Sequence, residues 1–157
     1  MRCSGQGDVF LADRARELVL LYLENDGITM NSANVLAFDT SLQWDIKMVH
    51  GMAGIGAHGL FSVVVQGTGW IALTSTGTPL VLEVHPASQT YVDADAVVAW
   101  STNLRTSVSA SVTLGSFIGR GSGELWKMRF EGQHGFVVVQ PTEPPLIAPG
   151  VRGGSLG

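Results

Sequence analysis

Four histidines, His50, His58, His85 and His134, and two carboxylates two residues apart, Asp93 and Asp95, are the side chains best equipped for metal binding or proton transfer. Metal sites built from neighbouring residues use spacings such as H-x-H or H-E-x-x-H, which set two donors on one face of a strand or helix. None of the four histidines stands in either pattern. His85 precedes Pro86 at a turn and His134 lies between Gln133 and Gly135, so both read as loop residues. His50 and His58 flank a glycine-rich run and could meet across a turn, but eight residues of glycine-rich spacing make a poor zinc signature. That run, Gly51 to Gly59, and a second, Gly115 to Gly123, offer backbone amides that can cradle anions. Neither ends in Gly-Lys-Ser/Thr and no clear helix follows, so both read as hairpin connections. The serines are scattered, and Cys3 has no histidine in a patterned context. The expectation is therefore a non-catalytic protein with no catalytic, cofactor-binding or metal residue and no cofactor.

What holds these residues is a pattern that repeats. Gly5 and Gly7 in GQGDVFL recur as Gly67 and Gly69 in GTGWIAL, an offset of 62 that also pairs Leu18-Val19-Leu20 with Leu80-Val81-Leu82 and Val35-Leu36-Ala37-Phe38 with Val97-Val98-Ala99-Trp100. Past the second glycine run the offset becomes 65, pairing Phe61, Val63 and Val65 with Trp126, Met128 and Phe130, and then 66, pairing Gly69-Trp70 with Gly135-Phe136. The expected organisation is one all-β domain over residues 1–141, with units at about 5–66 and 67–131, the start of a third at 132–140, and an irregular Pro- and Gly-rich tail at 142–157. At the 62 offset Asp93 and Asp95 meet Asn31 and Ala33, so turn capping fits the pair better than calcium binding or acid–base work.

Alternation of apolar and polar residues over Trp44 to Met48, Thr106 to Val112 and Trp126 to Glu131 predicts half-buried strands, and turns every 8 to 12 residues predict a sandwich or barrel. Ala12 to Glu24 by itself suits an amphipathic helix. Its counterpart, TSTGTPLVLEV, is a turn and a strand, so the offset favours a turn at Asp13-Arg14 followed by a strand from Leu18 to Leu23. Trp44, Trp126 and Phe130 fall on apolar phases and are expected in the core, as are Trp70 and Trp100.

A formal charge of −4, with nine Lys and Arg spread singly, offers no basic stripe for a phosphate backbone, and Arg105, Lys127 and Arg129 are too few to make one. Nucleic acid is not an expected partner. One cysteine excludes a disulfide scaffold and suits a reducing compartment. No stretch reaches the roughly 18 to 20 apolar residues of a membrane span, and the first residues lack a leader's apolar run, so a cytoplasmic location is expected.

Three segments together carry a resemblance: GLFSVVVQGTGWIALTS (Gly59–Ser75), YVDADAVVAW (Tyr91–Trp100) and GSGELWKMRFEGQHGFVVVQ (Gly121–Gln140). From about Gly5 to Gln140 the chain is similar to the altered inheritance of mitochondria protein 24 family, whose fold resembles the tryptophan RNA-binding attenuator protein and whose bacterial members are mostly uncharacterised. The resemblance implies small β-sandwich units, three in the family's usual layout around a pseudo-threefold axis, of which the first is largely missing here. It brings no catalytic residue. Scarce charge and an incomplete repeat lead to an expected role as an assembly or scaffold module with a homo-oligomer or protein partner; the alternative is a small-ligand or nucleic-acid binding module.

Overall fold

The computed structural model describes residues 1–48, 61–111 and 125–141. The strands among them are β1 (Glu17–Asn31), β2 (Val35–Phe38), β3 (Gln43–Met48), β4 (Phe61–Ser75), β5 (Leu80–Val84), β6 (Thr90–Asp93), β7 (Val97–Ser101), β8 (Arg105–Ser111), β9 (Leu125–Glu131) and β10 (Gly135–Val139). All pairings are antiparallel. One sheet runs β2-β4-β1-β7-β10-β5, with β3 beside the first half of β4, and a second runs β6-β9-β8. The fold is all-β, as the composition and spacing led one to expect.

The helical reading of Ala12 to Glu24 fails. Arg14 and Ala15 take left-handed conformations (φ 45° and 58°) in a turn closed by the Arg16 amide donating to the Asp13 carbonyl at 2.8 Å. From Glu17 the chain pairs residue by residue with β4, from Glu17 opposite Ser75 to Leu23 opposite Gly69. Leucine and glutamate favour helix by only tenths of a kcal/mol each, so a ready strand partner overrides them.

A bulge fixes the shape of this ribbon. Between Leu23 opposite Gly69 and Asp26 opposite Gly67, β1 carries one residue more than β4. Asn25 there is left-handed (φ 50°), Gly67 has φ 126°, and the Asn25 amide donates to Thr68 Oγ1 at 2.9 Å. The extra residue shifts the apolar phase of β1 from odd positions (Val19, Leu21, Leu23) to even ones (Ile28, Met30), while β4 stays odd (Val63, Val65, Ile71, Leu73). All nine side chains meet in one cluster, so the ribbon's two halves bend onto a common core.

The same pairings recur later in the chain. β6 meets β9 from Thr90 opposite Phe130 to Asp93 opposite Lys127, as β1 meets β4 from Ile28 opposite Val65 to Asn31 opposite Ser62. β8 meets β9 as β3 meets β4, and β7 meets β10 as β2 meets β4, including an irregularity at the matching place. In β5 the match is displaced by one residue. Leu82 lies opposite Val137 as Leu21 lies opposite Ile71, an offset of 61, so the sequence alignment of Leu20 with Leu82 is off by one and assigns these side chains to the wrong face. The opening GQGDVFL also departs from its counterpart in β4. Residues 8–13 form no strand, and Val9, Phe10 and Leu11 are exposed.

A second cluster gathers Val84, Val97, Trp100, Leu104, Val108, Met128, Phe130, Val137 and Val139, with Trp126 half-buried at its margin. β7 and β10 form the wall between the clusters. Val97, Trp100, Val137 and Val139 serve one, while Val98, Ala99 and Val138 serve the other. Burial on both faces explains why Val97–Trp100 and Val137–Val139 are continuous apolar runs, while Phe136 before the second is exposed.

Two aromatic expectations are wrong. Trp44 is 60% exposed and Trp70 is 53% exposed. Trp44 does lie on the core-facing side, opposite buried Val65, but the whole of β3 is exposed, because among the described residues no second layer covers that margin. Trp70 lies opposite Tyr22, outside the bend. The Gly51–Gly59 and Gly115–Gly123 runs, His50, His58 and the 142–157 tail lie outside the described residues.

Candidate functional site

Chemistry-bearing side chains gather where the two halves of the fold meet, and they are structural in character. Asn31 and Asp93 each end a strand and cap a short 3-10 turn, Ser32–Asn34 and Ala94–Ala96, through a carboxamide or carboxylate oxygen that accepts from the amide two residues on. Turn capping is thus what Asp93 does. Buried Asn34 Nδ2 donates to the Thr74 carbonyl at 2.8 Å and to Gln140 Oε1 at 3.3 Å. Gln140 Oε1 also accepts from the Thr76 amide at 3.2 Å, and its Nε2 donates to the Asp95 carbonyl at 3.1 Å. One carboxamide just past β10 therefore joins both turns and the residue that follows β4. Nearby, Arg16 Nη1 reaches Asp13 Oδ2 at 3.0 Å and the Thr74 hydroxyl donates to the same oxygen at 3.1 Å.

The two turn carboxylates respond to their surroundings in opposite senses. The hydrogen bond from Arg16 holds Asp13 below the usual carboxylate range. Partial loss of solvent around its carboxyl, with the Asp93 charge behind it, pushes Asp95 upward, although the residue stays exposed. A carboxyl whose folded pKa is raised opposes folding once it ionises, so its cost is absent below the unfolded value and complete above the folded one. Asp95→Asn should therefore raise the melting temperature at pH 7, with the gain vanishing below about pH 3.5 where both states of the wild type are protonated. Thermal melts across that range check it.

His85 and His134, separate loop residues in sequence, stand edge to face with ring centroids 5.3 Å apart, and His85 Nε2 lies 3.6 Å from Glu83 Oε2. The Glu83-x-His85 spacing on an extended segment was the signal for that contact, and the 62 and 66 offsets concealed the histidine pair because neither histidine has a histidine counterpart. Among the described residues no three His, Cys, Asp or Glu side chains converge as metal ligands. Cys3 is exposed. Of the basic residues weighed for nucleic acid, Arg129 is engaged by Glu131 at 3.4 Å and Ser107 at 3.3 Å. No helix among the described residues is long and apolar enough to cross a membrane.

The exposed surface is less ordinary. On the outside of the β1–β4 ribbon, Leu18, Leu20, Tyr22 and Trp70 are exposed, with the Tyr22 and Trp70 rings 5.0 Å apart. At the β3 margin Trp44, Ile46, Met48 and Phe61 form an exposed apolar row in register with the core, Trp44 leaning on Phe38 at 6.1 Å. An open groove of about 450 Å³ separates the opposite side of this margin, at Thr29, Lys47, Ser62 and Val64, from Trp100, Thr102, Leu104 and Thr106. Such rows of large apolar side chains mark contact surfaces more often than solvent-facing ones.

Comparison with known proteins agrees with this architecture. An X-ray crystal structure of a Streptococcus pyogenes protein superposes with a TM-score of 0.66 at 26% identity, over 81% of this chain and 55% of that one. The chain thus spans about half the length of that solved relative. No curated protein matches the sequence. The family model described as Mitochondrial biogenesis AIM24 matches residues 1–142, and the chain belongs to that family.

Proposed function

We propose that this protein is a non-catalytic assembly module, built from duplicated β units, that works in the cytoplasm by docking onto another protein surface. The observation that carries the reading is the β3 margin, where Trp44, Ile46 and Met48 hold core-facing positions and are nonetheless exposed. A side chain the size of tryptophan gains about 2 to 3 kcal/mol on full burial, so three apolar residues left open in a row favour a covering partner. A binding site for a small ligand finds less support, since the two grooves in the described residues are open and no buried polar side chain is left without a hydrogen-bond partner to face a ligand.

Sedimentation of the purified chain over a hundredfold concentration range tests this. Association is expected, and Trp44→Ser should weaken it at least about tenfold while leaving the far-ultraviolet spectrum unchanged. A single monomer mass at every concentration, together with no retained partner on affinity purification, would overturn the reading.

A further inference from the structure

Among the described residues one strand pairing joins the two halves: Ile28, Thr29 and Met30 of β1 lie opposite Ser101, Trp100 and Ala99 of β7. Each of these edges has a counterpart at an offset of 62. Ile28–Met30 correspond to Thr90–Val92 of β6, whose other edge meets β9 in the register that β1 uses for β4. Ala99–Ser101 correspond to Ala37–Asp39, at the end of β2, whose other edge meets β4 in the register that β7 uses for β10. Among the described residues β6 pairs only with β9 and β2 only with β4, so both counterpart edges are open.

Burial at these edges is deficient in the way a missing joint would leave it. Val97 to Trp100 of β7 are all buried, whereas Val35 to Phe38 of β2 are all half-buried. Met30 is fully buried in the joint, whereas its counterpart Val92 is half-buried and Tyr91, the counterpart of buried Thr29, is exposed. Trp44 fits the same pattern. Its counterpart, Thr106, lines the groove at the internal joint beside Trp100, so the position of Trp44 is one that a neighbouring unit would face.

We propose that the open β6 edge of one copy pairs with the open β2 edge of a second copy, head to tail, with Thr90, Tyr91 and Val92 opposite Asp39, Phe38 and Ala37. The inference rests on the reading of the chain as an assembly module and names its partner as the chain itself. A second copy is the occupant because each edge finds its complement, in strand direction and register, on this same molecule. The contact sets Tyr91 against Phe38, an aromatic cross-strand pair, and is heterologous, so it propagates as a chain or closes as a ring.

One substitution sets the new joint apart from the internal one. Within the chain, Asn31 Nδ2 donates to the Val97 carbonyl at 3.1 Å across the joint, while its Oδ1 caps the following turn. Between copies the corresponding pair is Asp93 and the Val35 carbonyl, and an ionised carboxylate has no proton to donate there. Asp93→Asn should restore that bond, keep the turn cap and tighten association about tenfold, the gain for one hydrogen bond.

The test uses the full chain with Cys3→Ser. Tyr91→Cys and Phe38→Cys are made separately, their folding checked by circular dichroism, then oxidised alone and mixed. Facing cysteines on antiparallel neighbours lie within disulfide reach. The mixture is expected to give at least fivefold more linked dimer than either variant alone, and Tyr22→Cys mixed with Phe38→Cys no excess. Association in the centrifuge without excess linkage in the Tyr91/Phe38 mixture, or without tightening by Asp93→Asn, overturns this joint but leaves the assembly reading standing. A monomer under all conditions overturns this joint, and it overturns the assembly reading as well when affinity purification retains no partner.

Discussion

Phe130→Ala is expected to lower the unfolding free energy by about 4 kcal/mol, the upper range for truncating a buried aromatic, and the melting temperature by more than 10 °C. Phe130 is fully buried in β9 and packs edge to face on Trp100 with centroids 5.8 Å apart. Its removal takes away the transfer free energy of the ring and the aromatic pair, and it opens a cavity between two sheets whose backbones are held by their own ladders. Phe130→Leu, which keeps most of the volume, should cost less than half as much. Denaturant titration followed by tryptophan emission measures both, because Trp100 loses its ring contact in either variant. Equal losses would show that the site collapses freely and that volume is not what the second cluster requires.

Gln140→Ala is the other large effect, about 3 kcal/mol, although it removes no apolar packing. Gln140 is 3% exposed and its carboxamide is used at both ends, accepting from Asn34 and the Thr76 amide and donating to the Asp95 carbonyl. Truncation strands the buried Asn34 donor and removes the partner of a part-buried amide and of a part-buried carbonyl. Gln140→Glu keeps the acceptor but loses the donor and adds a charge beside Asp95, so it should be as damaging as alanine at pH 7 and partly recover in acid. Thermal melts at pH 7 and pH 4 compare the variants; an alanine variant as stable as wild type at pH 7 would mean that water replaces the carboxamide.

The all-β class was legible because alternation and turn spacing encode it. The 62 and 65 residue spacings seen in sequence reappear as pairing registers in β3 with β4 and in β8 with β9, and the strand after Arg16 was recovered only through its counterpart, against its own helical preference. Where the reading failed, the cause lay in what surrounds a residue, which alternation does not encode. Trp44 has the phase of a core residue and the correct strand partner, yet none of the described residues covers it. GQGDVFL and GTGWIAL share glycines and spacing, but only the second lies beside β1 and β2, and a strand requires neighbours. The one-residue displacement in β5 arises between β5 and β6, where the chain takes six steps from Val84 to Thr90 against five from Leu23 to Ile28 within the unbroken β1, a difference that the matching leucines of LVL do not reveal. Of the candidate site, the caps at Asn31 and Asp93 were visible from their shared offset. The Asn34–Gln140 bond, spanning 106 residues, was not.

The wall made by β7 and β10 also bears on how the molecule comes apart. Because Val98 and Val138 serve one cluster while Val97 and Val137 serve the other, neither half can lose its packing without stripping a face from strands that the other half needs. A protein drawn as two similar units is then one thermodynamic body, melting in a single cooperative transition, and damage anywhere in either unit is felt by the whole.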